Sequence, residues 1–166
     1  MTILESPSPN HAPRRSPISA VVLHDTGGKT AAGALAWFAK IESGVSSHYV
    51  IDRDGTIYRC VPEALRAWHA GMSQLWGRDD VNDFSVGVEL VDENDAEPYP
   101  LAQLVAAVDL VADCCARHRI PLNRIVGHQH IATPYGRKSD PGRDFGWEAF
   151  LLQVAQAIVA RPKETP

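Results

Sequence analysis

The stretch Arg124-Ile125-Val126-Gly127-His128-Gln129-His130-Ile131-Ala132-Thr133-Pro134-Tyr135-Gly136-Arg137-Lys138-Ser139-Asp140-Pro141-Gly142 decides the reading of this chain. It opens as a short strand over 124–128 and runs into a loop carrying histidines, an arginine, a lysine and an aspartate, with proline and glycine at its bends. Such a loop has no use inside a core, where its polar groups would be costly to bury unpaired. Loops held on a rigid scaffold are where catalytic and metal-binding residues concentrate. The upstream run Ile18-Ser19-Ala20-Val21-Val22-Leu23 likewise ends in a histidine, His24. Two imidazoles with one carboxylate leave a fourth position open on a tetrahedral zinc ion, as hydrolytic sites do.

Working outward, residues 1–16 are rich in proline, serine and arginine and predict an extended arm lying over the domain. Asp25-Thr26-Gly27-Gly28 reads as a turn, and Thr30 as the cap of a helix through Ala34, Trp37, Phe38 and Ile41. Ser46–Ile51 and Thr56–Val61 read as two strands of a hairpin closed by Asp52-Arg53-Asp54-Gly55. The Asp-x-Asp-Gly spacing resembles a calcium loop only superficially, because the distal glutamate is missing. Phe84–Val91 alternates as a strand, with Glu89 turned away from Val88 and Leu90. Leu101–His118 has apolar residues at helical spacing, and Trp147–Val159 predicts a closing amphipathic helix before a polar tail at 161–166. Strands interleaved with helices, plus one hairpin, imply a single α/β domain over 17–160, with a central mixed sheet flanked by helices.

Composition narrows the function. A formal charge of −4 argues against nucleic acid as the main partner. No apolar run is long enough to span a bilayer, and no basic segment followed by an apolar one marks a secretion signal. A cytoplasmic monomer is the expectation. Cys60, Cys114 and Cys115 have no metal or redox spacing and read as small buried apolar residues in a reducing compartment. Core packing is expected of Trp37, Trp147 and Phe150, whereas one of Trp68 and Trp76 is suited to stacking on a sugar.

Five blocks, in order, now carry a resemblance: Val21-Val22-Leu23-His24, Val45–Ile51, Arg66-Ala67-Trp68-His69-Ala70-Gly71, Asn82–Leu90, and Gly127-His128 through Arg137-Lys138-Ser139-Asp140-Pro141-Gly142. Over about residues 18–150 the chain resembles the zinc-dependent N-acetylmuramoyl-L-alanine amidases of the type-2 amidase and peptidoglycan-recognition-protein fold. Within that group it is most similar to the bacterial enzymes that trim 1,6-anhydro-muropeptides during wall recycling. The resemblance implies that His24, His128 and Asp140 hold zinc, that Glu89 handles the proton of the attacking water, and that Lys138 stands beside the scissile carbonyl. It places Arg66, Trp68, His69, Asn82 and Arg137 on the walls of a muropeptide groove. The spacing from His128 to Asp140 is slightly longer than in the recycling enzymes, with Thr133–Gly136 as the inserted residues.

The implied chemistry suits these residue types. Zinc lowers the pKa of bound water from about 15.7 to about 7, and it shares the oxyanion charge with a lysine. A carboxylate takes the water's proton and returns it to the leaving nitrogen. Duller readings exist for each residue. The chain has seven histidines, and His130, His48 and His69 compete as ligands if the resemblance is set aside. Glu89 could be a rim carboxylate in a weak surface pair, and Lys138 a solvated loop lysine. A non-catalytic peptidoglycan sensor, a structural zinc and a phage or prophage endolysin are the rival functions. Sensors commonly lose a ligand, and structural zinc usually has a fourth protein ligand.

Overall fold

The computed structural model describes residues 2–93 and 97–161. The elements run β1 (Ile3–Glu5), β2 (His11–Pro13), β3 (Ala20–Asp25), α1 (Ala31–Phe38), β4 (Tyr49–Ile51), β5 (Ile57–Arg59), β6 (Leu65–Ala67), β7 (Gln74–Leu75), β8 (Arg78–Asp79), β9 (Ser85–Leu90), α2 (Leu101–His118), β10 (Ile125–Gly127), the single helical turn α3 (His128–Ile131) and α4 (Trp147–Ala160). A six-stranded sheet has the order β1-β5-β4-β9-β3-β10. Only the β4–β5 hairpin is antiparallel; every other pairing in that sheet is parallel. The mixed α/β sheet expected from the sequence is therefore present.

Alternation divides the central strands into two faces. Val21, Leu23, Val86, Val88, Leu90 and Ile51 face α2 and α4, packing on Leu110, Val111, Phe150 and Val154. This is the main core. Gln103, fully buried on α2, donates to the carbonyls of Ile51 and Val91 and ties the helix to the ends of β4 and β9. The opposite face carries Ala20 and Val22 under a small lid of Ala70, Val81, Phe84 and Ile131. A second patch packs Val50 against Ala31 and Phe38 of α1. Between these lids the face becomes polar, and there β3 and β9 present His24 and Glu89 in register.

The turns obey local chemistry. Thr30 Oγ1 accepts from Gly33 N–H at 3.3 Å and starts α1 as the sequence predicts. Gly55, at φ +88°, closes the hairpin and lies so near Ala102 O that a Cβ would come within 2.8 Å. The three cysteines are free and buried. Among the described residues no helix is long and apolar enough to cross a membrane.

Four local readings change. The strand expected at Ser46–Ile51 pairs regularly only over Tyr49–Ile51, because Ser46 N–H is drawn to Trp68 O instead. The segment after Gly127 begins with the turn α3, closed by His130 Nδ1 accepting from Gly127 N–H at 2.9 Å. The N-terminal arm contributes strands: β1 extends the sheet beside β5, and β2 pairs with β6. Arg161, assigned by sequence to the tail, turns back onto Asp113 at 2.6 Å; residues 162–166 lie outside the described residues.

Candidate metal centre and groove

His24 and His128 reach the same point from neighbouring parallel strands, β3 and β10. This is at the carboxyl ends of those strands, where open α/β sheets bind their ligands. His24 Nδ1 lies 3.1 Å from His128 Nδ1, and Asp140 Oδ2 lies 3.2 Å from the first and 3.0 Å from the second. Asp140 is delivered by the loop's return, where its carbonyl accepts from Gln129 N–H at 2.9 Å. Gly127 permits that return, since a Cβ there would meet Pro141 Cδ at 2.8 Å and Trp147 Cζ2 at 2.9 Å.

The donor set fits a metal ion. His128 Nε2 faces Ala70 O at 3.1 Å, so its proton belongs on that nitrogen and Nδ1 offers a lone pair. A lone pair and a carboxylate oxygen at 3.0 Å repel each other unless a cation lies between them. The spacings also match the edge of a tetrahedron with metal–ligand bonds of about 2.0–2.1 Å. Among the described residues this is the one group of His, Cys, Asp and Glu side chains gathered in this way. Burial pushes His24 down to about 4, which keeps the imidazole neutral, as a ligand must be.

His48 and His69, the other contenders, lie close to His24 but are not members of this group. His48 Nδ1 accepts from Gly87 N–H at 2.9 Å and its Nε2 faces Leu65 O at 3.1 Å. His69 Nδ1 lies 3.0 Å from His24 Nε2, and its Nε2 lies 3.2 Å from Ser85 Oγ. His130 packs tilted against Trp147 with ring centroids 5.2 Å apart, and its Nδ1 is occupied by Gly127 N–H.

Glu89 is 8% exposed and opens into the cleft beside His24. Burial raises its carboxyl well above the usual range, and the nearby Asp140 and Asp25 add to this. The cleft, about 600 Å³, runs from this point along α1, past Lys29, Thr30 and Trp37, with Lys138 on its opposite rim. A second arm of about 440 Å³ continues past Trp68, Arg66, Asn82, Arg137 and Lys138. The sequence-assigned residues therefore gather around one groove, although several are engaged beneath its surface. Asn82 Oδ1 accepts from His69 N–H and Ala70 N–H, fixing the backbone that holds His128. Arg66 pairs with Asp80. Arg137 donates to Met72 O at 2.7 Å and to Thr133 O at 2.9 Å, fastening the long loop to the opposite wall.

Trp37 corrects the sequence reading. It is 52% exposed and lines the cleft rather than the core. Consecutive helical residues point about 100° apart, so when Phe38 turns onto Val50 its neighbour is left facing the groove. Phe150 is buried and Trp147 packs on the core, as expected. Trp68 lines both arms, whereas Trp76 turns outward onto the Arg124 guanidinium. Ser85 escaped the sequence reading, having no feature that separates it from any strand serine.

A family model described as N-acetylmuramoyl-L-alanine amidase matches residues 14–143. The 1,6-anhydro-N-acetylmuramyl-L-alanine amidase AmpD of Haemophilus influenzae is 40% identical over 120 residues. That match covers 71% of this chain and 64% of the relative, a little under two thirds of its length. The crystal structure of a selenomethionine AmpD derivative superposes with a TM-score of 0.81 at 32% identity, covering 91% of this chain and 93% of that one. The complex of E. coli AmiD with anhydro-N-acetylmuramic acid-L-Ala-D-gamma-Glu-L-Lys gives a TM-score of 0.74 at 30% identity, covering 90% and 66%. The family match runs from before His24 to beyond Asp140 and so takes in the whole centre: the chain belongs to the N-acetylmuramoyl-L-alanine amidase family.

Proposed function

We propose that this protein hydrolyses the amide bond between N-acetylmuramic acid and L-alanine in soluble 1,6-anhydro-muropeptides, with zinc held by His24, His128 and Asp140. The observation that carries the reading is the convergence of three ligand atoms within 3.2 Å of one another, with Glu89 beside them in the same groove. The relatives named for this reaction support the substrate, and the anhydromuramyl peptide bound to AmiD supports its chemical form. Action on soluble fragments fits a cytoplasmic enzyme working as a monomer.

When bound, zinc supplies Lewis acidity that acidifies water and polarises the amide carbonyl. The chain's own residues do the rest. Glu89 accepts the proton of the attacking water at its carboxylate and passes it to the departing alanine nitrogen. Its buried position raises its affinity for a proton, which suits the first half of that exchange, where it takes the proton of the water. Lys138, on the exposed rim, brings its ammonium to the oxygen on which negative charge develops. Trp68 offers a flat face to the sugar, and Arg66, His69, Asn82 and Arg137 shape the second arm for the rest of the substrate.

Mass-spectrometric digests of purified 1,6-anhydro-muropeptide and of intact sacculi, each with and without a zinc chelator, test the proposal. The expected result is chelator-sensitive release of a free L-alanyl peptide, strongly favouring the soluble substrate. Efficient attack on sacculi would replace the substrate assignment with a lytic one. No release from either would overturn the amidase reading.

A further inference from the structure

The hydrogen-bond chain behind His24 has only one consistent direction when the imidazoles are neutral. Ser85 Oγ lies 2.6 Å from Val81 O, which can only accept, so the serine proton is committed there. Ser85 Oγ must then accept from His69 Nε2–H at 3.2 Å. A neutral imidazole protonated at Nε2 leaves Nδ1 as an acceptor, and that atom faces His24 Nε2 at 3.0 Å. His24 therefore carries its proton on Nε2 and keeps Nδ1 bare, directed at His128 and Asp140. The two ligand histidines reach the same tautomer by different means, one through a backbone carbonyl and one through this relay.

The sheet is built to seat the relay. His69 lies flat over Gly87, where a Cβ would meet its Cγ at 2.5 Å. Its ring packs edge-on to His24 at 5.1 Å and against His48 at 5.6 Å, both between centroids. Groups beyond a ligand histidine that fix its tautomer raise its basicity and its affinity for the metal. From this geometry we infer that His69, held by Ser85, is a positioning residue that sets the orientation and tautomer of His24 for metal binding, a role apart from the groove wall. This rests on the reading of His24, His128 and Asp140 as metal ligands.

The test measures the affinity of the full chain for zinc and cobalt(II) by competition with a chromophoric chelator, together with the absorption bands of the cobalt form. His69→Phe keeps an aromatic ring, slightly larger than imidazole, but offers no acceptor, and should weaken metal binding by about 10–100-fold and shift the cobalt bands. His69→Gln offers a carbonyl oxygen to His24 Nε2–H and should recover most of the affinity. Ser85→Ala acts one bond further out and should weaken binding in the same direction by a smaller factor. Thermal unfolding of the metal-free variants shows which are folded. A folded His69→Phe with unchanged affinity and unchanged bands would overturn the inference. If that variant does not fold, unchanged affinity and bands in Ser85→Ala would overturn it. Failure of the unaltered protein to bind either metal is a different result, because it removes the metal reading itself.

Discussion

Glu89 and His24 sit opposite each other on adjacent strands, and burial moves their proton affinities in opposite senses. Glu89→Gln should leave metal binding intact and cut turnover by about 10²–10⁴-fold, read as kcat at saturating muropeptide; near-normal kcat would remove Glu89 from the proton path. The same carboxyl affects stability. Unfolded, it titrates near 4.3; folded without metal, it holds its proton to higher pH. The folded state thus binds more protons across that interval, and stability falls as pH rises through it. Metal-free Glu89→Gln should therefore be more stable than the unaltered chain at neutral pH, with the difference vanishing below about pH 4. Denaturant midpoints across pH would show this. Gly87→Ala should cost about 1–3 kcal/mol by overpacking against His69, visible in the same midpoints. At this scale the sequence was partly legible. Glu89 stands out as the lone charge on an apolar strand, and His24 and His128 as histidines at strand ends. Trp37 was misread because Trp37 and Phe38 are equally apolar, and composition does not say which of two neighbours faces the sheet.

The N-terminal arm does more at the level of elements than its composition suggests. Asn10 Nδ2 is placed against the carbonyls of Phe38, Lys40 and Val45, just after α1, so the arm holds one wall of the groove. Four residues on, the Arg14 guanidinium donates to the carbonyls of Glu63, Leu65, Asn82, Asp83 and Ser85. Asp83 closes the same contact by accepting from Arg15 N–H and Ser16 Oγ–H. Arg14→Ala leaves several carbonyls without donors and should cost about 2–4 kcal/mol, a fall in melting temperature of about 5–15 °C. Arg14→Lys should rescue little, because one ammonium cannot reproduce a planar fork of five donors; full rescue would show that charge alone matters. The regular helices α1, α2 and α4 were readable from periodicity and capping. The arm's strands were not, since three-residue pairings carry too little alternation to stand out in a segment rich in proline and serine.

For the whole molecule, the hairpin and the presence of a mixed sheet were visible in the sequence, but the strand order β1-β5-β4-β9-β3-β10 was not. Order is set by which apolar faces find each other, and apolar runs such as 20–23 and 85–88 are interchangeable on paper. If a metal bridges β3 to the loop after β10, its removal weakens the entire fold. Free zinc at 100 times its dissociation constant should add about 2.7 kcal/mol, which a melting curve with and without chelator would register as about 5–10 °C. An unchanged melting temperature would mean that no metal binds the folded state preferentially.

The parallel pairing of β3 with β10 also sets a timetable. His24 and His128 touch across 104 residues of chain, and Asp140 comes later still. If these three side chains hold a metal, a chain leaving the ribosome presents the first of them 104 residues before the second, and cannot complete the trio until Asp140 has emerged. Contacts of such long separation form slowly, because loop closure must precede them. Metal capture during refolding should therefore coincide with the slowest phase that forms native structure, making the ion a reporter of finished folding rather than a nucleus for it.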